Sequence, residues 1–204
     1  MSYDNFAQTF SNSRKNHPWP ELKYIIEDMK NYQYSSVLDI GCGNGRFLEE
    51  SIRLDYVGAK YLWIDQSAWM IWEAMKLHPN NQFKILWMQD IWDLDESFDV
   101  LLFLASFHHL ESKQERIQVL QDTKKLLNPN GRIYMTNWNL LEQERYQKSH
   151  RWNGEFDIKI GEFSRYYHGF SITELDELFR ETGYQTMENR VFEGGKNIIS
   201  ILEL

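Results

Sequence analysis

The chain has 204 residues, 42% of them hydrophobic, enough for one well-buried domain and too few for two substantial ones. A formal charge of −8 and a pI near 5.3 argue against a domain that grips nucleic acid by itself, because phosphate binding shows as a basic patch and a high pI. The single cysteine, Cys42, excludes an internal disulfide and points to a reducing, cytoplasmic setting.

Residues Met1 to Phe10 hold Asp4, Asn5 and Gln8, with neither a basic nor an apolar leader region, so an unexported protein is expected. The longest apolar run, Val100 to Leu104, is far below membrane-spanning length, and no membrane is expected as a partner. After Pro18-Trp19-Pro20, the helical spacing of Leu22, Ile25, Ile26 and Met29 predicts an amphipathic helix entering the fold. Ser36 to Ile40 predicts a first strand, which runs into Gly41-Cys42-Gly43-Asn44-Gly45 before a helix from Arg46 to Leu54. Gly at every second position lets the main chain turn sharply and press against a ligand. Cys42 inside this loop reads as a small packing residue rather than a nucleophile. The spacing G-x-G-x-G differs from the dinucleotide fingerprint G-x-G-x-x-G, and no Lys follows, which excludes a P-loop.

Tyr61 to Ile64 predicts a second strand ended by Asp65, about 20 residues beyond the loop, where a Rossmann-type fold carries its ribose-binding carboxylate. A helix from Ser67 to Leu77 is stopped by His78-Pro79-Asn80. The next strand-like run, Phe83 to Met88, is followed by Asp90. With Asp39 two residues before Gly41, three acids stand at three successive strand ends, a pattern that suits a nucleoside better than a pyrophosphate. The alternative is a phosphate- or nicotinamide-binding turn whose Asp residues only cap helices.

Phe98 to Leu104 is almost wholly apolar, as in a parallel strand buried on both faces at the centre of a sheet. Ser112 and Glu115 form a capping box ahead of a helix that ends in Asn128-Pro129-Asn130-Gly131, and Arg132 to Asn137 predicts the next strand. A last helix starts at Ser171 or Thr173 and stops at Gly183; Tyr184 to Glu193 and Asn197 to Leu204 then predict an antiparallel hairpin turning at Gly194-Gly195. Trp19, Trp138, Trp152, Tyr166 and Tyr167 fall in segments that read as loops or strand ends. Most aromatic residues are expected to pack, with one or two open to base stacking or to a sulfonium.

The glycine loop with its three acids resembles class I S-adenosylmethionine-dependent methyltransferases. The resemblance implies an α/β, doubly wound, Rossmann-like fold: a mostly parallel seven-stranded sheet with a C-terminal antiparallel hairpin. It implies S-adenosyl-L-methionine as cofactor, with Asp39, Gly41, Cys42, Gly43 and Gly45 along its methionine part. Asp65 would accept from both ribose hydroxyls, Asp90 with the Ile91 backbone would meet the adenine, and Gln66 is a further expected cofactor-binding residue. The expected organisation is one domain over 1–204: an N-terminal helical extension (1–34), a cofactor-binding core (35–138), a substrate-side segment (139–170), and a C-terminal helix and hairpin (171–204).

Further motifs resemble one family in particular, the tRNA wobble-uridine carboxymethyl methyltransferases, including the methyltransferase domain of their animal AlkB-homologue relative. They are Phe10-Ser11-Asn12-Ser13-Arg14 with Trp19-Pro20, Gly43 to Phe47, Phe107-His108-His109-Leu110 with Glu115-Arg116, Trp138 to Glu144, and Arg165-Tyr166-Tyr167-His168 with Phe170. The chain departs from that family in a short segment between Glu142 and Arg165 and in Asn139, where Ala is usual. The resemblance implies tRNA as substrate and methylation of a carboxylate to a methyl ester; eukaryotic members also work with a small activator protein. The alternatives are a small-molecule O- or N-methyltransferase acting on a carboxylate or amine, and a non-catalytic scaffold.

A carboxylic acid with a pKa near ~4 is ionised at neutral pH and needs no general base, so such a site needs donors that orient it. Arg14 and Arg165 are the first candidates, because guanidinium holds a carboxylate through two parallel hydrogen bonds. His108 and His168 complete the candidate catalytic set; one of His108 and His109 is expected to face the cleft beyond the central strand and the other to pack. No Cys/His spacing predicts a metal.

Overall fold

The computed structural model describes residues 19–56, 60–161 and 163–204; Arg14 and the motif around it lie outside them. In chain order the elements are α1 (Pro20–Lys30), β1 (Ser36–Ile40), α2 (Arg46–Arg53), β2 (Lys60–Asp65), α3 (Ala68–Leu77), β3 (Gln82–Ile85), β4 (Phe98–Leu104), α4 (Lys113–Leu126), β5 (Leu127–Trp138), β6 (Glu155–Ile160), β7 (Phe163–His168), α5 (Ile172–Glu181), β8 (Gln185–Val191) and β9 (Asn197–Glu203). Short 3-10 turns occupy Met88–Asp93, Phe107–His109 and Glu144–Ser149.

Seven strands form one sheet in the order β3-β2-β1-β4-β5-β9-β8. The β1, β2, β3, β4 and β5 pairings are parallel, and β9 enters antiparallel between β5 and β8. Strand β4 shows why: Leu101 and Phe103 join one core cluster with Val119, Leu120, Leu175 and Phe179 of α4 and α5. Val100, Leu102 and Leu104 join the other with Ile25, Ile26, Phe47 and Ile71 of α1, α2 and α3. A strand that buries both faces has to be apolar throughout, and its place is the middle of the sheet. At the start of α4 the Ser112 hydroxyl accepts from the Glu115 N–H at 3.1 Å and the Glu115 carboxylate accepts from the Ser112 N–H at 2.8 Å, the reciprocal cap expected of that pair.

The structure departs from the sequence reading at three places. Strand β3 stops at Ile85, so Asp90 sits in the following 3-10 turn, its N–H donating to the Trp87 carbonyl at 2.9 Å, rather than directly at a strand end. Strand β5 begins at Leu127 with no break after α4, pairing Leu127 with Phe98 before the register resumes at Val100 and Arg132. Tyr166 and Tyr167 are not in a loop: β6 and β7 form a separate two-stranded antiparallel sheet that pairs Phe156 with Tyr167 and Asp157 with Tyr166.

Candidate active site

Strands β1 and β2 end side by side, and the glycine loop closes over β2: the N–H groups of Gly41 and Cys42 both donate to the Ile64 carbonyl, at 2.8 and 3.0 Å. Gly41 has φ +81°, and a Cβ there would lie 2.5 Å from Cβ of Ser106. That serine follows β4, and its hydroxyl donates to the Ile40 carbonyl at 2.6 Å. Gly43 also has positive φ, but a Cβ on it would meet no described atom within 4 Å, so the loop opens outward at this residue. Gly45 (φ +81°) starts α2 and donates to the Cys42 carbonyl at 3.1 Å.

Asp65 joins this loop to the next helix. Its carboxylate accepts from the Gly43 N–H at 2.9 Å and from the Ser67 N–H at 2.8 Å, and Ser67 caps α3 through its hydroxyl. Gln66 lies half-buried between them. Asp39 is 2% exposed, and its Oδ1 has no hydrogen-bond partner among the described residues. Burial, with the Asp65 charge adding to it, pushes its carboxyl well above the usual range. The same environment pushes the Cys42 thiol up, by burial first and then by Asp39 and Asp65, so it is held protonated and makes a poor nucleophile. Asp90 is exposed and Ile91 fully buried in the turn after β3.

Beyond β4 the chain turns through Ala105, held at φ +54°, a conformation that costs a non-glycine residue free energy and is found disproportionately at functional sites. His108 is fully buried, and its Nδ1 accepts from the Trp138 N–H at 3.3 Å. His109 is half-buried, and its Nδ1 lies 3.1 Å from the Tyr166 carbonyl, which can only accept. The two neighbouring rings therefore take opposite tautomers: His109 carries its proton on Nδ1 and leaves Nε2 as an acceptor. Burial first, then the Arg165 charge, holds His109 well below the usual histidine range and so neutral at pH 7. Arg165 comes from β7, its guanidinium 5.8 Å from the Tyr167 ring.

Three rings, Tyr167, Trp138 and Tyr146, stack nearly parallel at 4.8 Å and 5.9 Å, and Tyr167 closes on His108 and His109 at 5.1 and 4.5 Å. His168, by contrast, faces α5: its Nε2 lies 2.6 Å from the Glu174 carboxylate, and the residue is buried. Of the residues singled out in the sequence, Asp39, the loop glycines, Cys42, Asp65 and Gln66 come together at the ends of β1 and β2, while His108 and Arg165 meet around His109. His168 engages a neighbouring helix. Sequence reasoning missed Ser106 and Asn137. The first stands two residues after the apolar β4; the second is fully buried in β5, with neither amide atom hydrogen-bonded among the described residues. Among those residues no group of His, Cys, Asp and Glu is placed to hold a metal ion, and no helix is long and apolar enough to cross a membrane.

A family model described as a methyltransferase domain matches residues 9–189. The chain belongs to that family. It is similar to the human "Probable tRNA methyltransferase 9B", 26% identical over 147 residues that cover 71% of this chain and 30% of that protein. It is also similar to the Schizosaccharomyces pombe "tRNA (carboxymethyluridine(34)-5-O)-methyltransferase", 25% identical over 226 residues that cover 92% of this chain and 88% of that one. Among solved structures, an S-adenosylmethionine-dependent methyltransferase from Clostridium acetobutylicum superposes with a TM-score of 0.75 at 12% identity, covering 99% of this chain and 98% of the other. The chain thus spans 30% of the human relative's length and most of the yeast relative's.

The residues at the ends of β1 and β2 fit S-adenosyl-L-methionine, the cofactor named for the Clostridium acetobutylicum structure. The outward-facing Gly43 leaves room for close approach, and Asp39 Oδ1, without a hydrogen-bond partner among the described residues, lies where an unpaired polar atom is costly and a donor or cation would be favoured. Asp39 and the loop glycines would hold the methionine end, and Asp65, already fixed by two N–H groups, would accept from ribose hydroxyls. The bound cofactor supplies a methyl group made electrophilic by its sulfonium. Ser106 keeps the loop against β4, and Cys42, held as a thiol, does not compete for that methyl.

Proposed function

We propose that this methyltransferase acts on a carboxylate, that of 5-carboxymethyl uridine at the tRNA wobble position, and converts it to a methyl ester. The observation that carries the reading is Arg165 on β7, whose guanidinium lies 5.8 Å from the Tyr167 ring that itself packs 4.5 Å from the His109 ring. A guanidinium can hold a carboxylate through two parallel hydrogen bonds. The names of the relatives point the same way, the yeast one acting on carboxymethyluridine. The acceptor is ionised at pH 7, so the residues have to position it and exclude water rather than remove a proton. A small activator protein belongs to this reading as the source of added RNA affinity for an acidic chain.

A second reading rests on His109. A neutral imidazole with Nε2 unprotonated is suited to take a proton from an attacking amine or hydroxyl, which a carboxylate does not need. The two readings separate cleanly. Arg165→Ala is expected to lower turnover on carboxymethyluridine-bearing tRNA by about 10²-fold with cofactor affinity unchanged, whereas His109→Gln changes it by less than about fivefold. Nucleoside mass spectrometry, with and without a candidate activator, reads the base-labile ester directly. No ester in either case, alongside His109-dependent methylation of small amines or alcohols, would replace the first reading with the second.

A further inference from the structure

The segment between β5 and β7 holds a charged feature that the methyl-transfer chemistry does not use. A cleft of about 540 Å³ is lined by Arg145, Tyr146, Lys148, His150, Arg151 and Lys159, with Asp157 the acid beside them. Asp157 pairs with Arg151. Lys148 and Lys159 are exposed, and Arg145 lies over the Tyr146 ring at 4.5 Å. In a chain of formal charge −8 this cleft reverses the sign locally. Beside Arg151 the turn into β6 presents Trp152, 72% exposed, a large apolar ring left in solvent. Tyr146 links the cleft to the site already described, since it lines the cleft and stacks on Trp138, which stacks on Tyr167.

We infer that this cleft is the RNA-docking surface of the protein: Arg145, Lys148, Arg151 and Lys159 take backbone phosphates, and Trp152 stacks on an unpaired base. The inference rests on the reading that the acceptor is carried on RNA. The chain as a whole is acidic, so a cleft lined by four cations and one acid favours RNA there and brings the strand towards the Tyr167 wall. The alternation of cations with exposed or half-exposed rings is what a single strand requires, with charge for the backbone and flat faces for the bases. An anionic membrane presents a broad, flat charged surface, which a concave cleft fits less well than it fits a single strand.

Fluorescence anisotropy with a labelled, unmodified anticodon stem-loop, on the full chain, tests this without any methyl transfer. With three or four phosphate contacts, affinity is expected to fall about 20- to 50-fold between roughly 50 and 200 mM salt. The double variant Lys148→Glu, Lys159→Glu, which alters only exposed side chains, should weaken binding at least about tenfold and flatten the salt dependence. Trp152→Ala should weaken it about tenfold with the salt dependence kept. Affinity for S-adenosylhomocysteine, measured alongside, should be unchanged in all three and reports that the fold is intact. RNA affinity and salt dependence unaltered in the double variant would overturn the inference, as would binding to phosphatidylserine-containing vesicles but not to RNA. Ester formation that ignores these substitutions sinks the docking surface alone; cleft-dependent RNA binding without ester upholds it and sinks the proposed acceptor instead.

Discussion

Asp65→Ala is expected to lower affinity for S-adenosylhomocysteine by at least about a hundredfold, against less than about tenfold for Asp90→Ala. The asymmetry comes from geometry. Asp65 is 6% exposed and held at both oxygens by backbone N–H groups of Gly43 and Ser67, so it meets a ligand already oriented and largely desolvated. Each charge-assisted hydrogen bond to a ribose hydroxyl is worth about 1.5–3 kcal/mol, and two of them make up the hundredfold or more. Removing the carboxylate also frees the Gly43 N–H and slackens the loop. Asp90 is exposed in its 3-10 turn, where water competes for the same lone pairs. Calorimetric titration of both variants measures the difference, and thermal unfolding without ligand reports how much of the Asp65 effect is loop stability. Equal affinities in the two variants would remove Asp65 from the ribose site.

Asp39→Asn should move binding and stability in opposite directions. The carboxyl is buried, with one oxygen lacking a hydrogen-bond partner among the described residues, and burial, then Asp65, raises its pKa in the folded chain. The unfolded value is about 3.9. Between the two values the folded chain keeps a proton that the unfolded chain has lost, so stability from this group is fully present below about 4 and is lost as pH rises through the folded value. The amide variant has no such loss and should unfold at a higher temperature than the parent at pH 8 when no ligand is bound. Its affinity for the cofactor should fall about 10- to 100-fold, because an amide, unlike Asp39, cannot ionise when the cofactor's ammonium binds beside it. His109, whose pKa is lowered, acts with the opposite sign but is common to both proteins and cancels in the comparison. Melting temperatures of parent and variant that stay parallel from pH 5 to 8 would contradict the assignment.

What the sequence revealed followed from local rules. An all-apolar β4, the Ser112–Glu115 cap and glycines at alternate positions after β1 each state their structure within a few residues, and the sheet order follows from the family those features resemble. The hairpin β6–β7 was legible too: Glu155-Phe156-Asp157-Ile158-Lys159 alternates strictly, and Phe156 and Ile158 are buried while Lys159 is exposed. Its setting between Gly154 and Gly161 makes the segment read as a loop. The state of His109 could not be read in the same way. Its tautomer depends on the carbonyl of Tyr166 and its neutrality on burial and Arg165, and both of those residues stand on a strand more than fifty residues downstream. The sign of the cleft around Lys148 was hidden for a related reason, since net charge averages over a surface that only folding divides into faces.

The position of β9 bears on how the protein is made. It follows every other strand of the main sheet in the chain, yet it is an inner strand, paired on one side with β5 and on the other with β8. Until β8 and β9 have both been synthesised and docked, β5 presents its free N–H and C=O groups, flanked by Ile133, Tyr134 and Met135, to whatever strand is nearby. That nascent edge is a site for aggregation or for exchange of the hairpin between two copies during synthesis. Stabilising the Gly194-Gly195 turn, which brings β8 and β9 together locally before they seek β5, would shorten the period of exposure and raise the soluble yield without touching the active site.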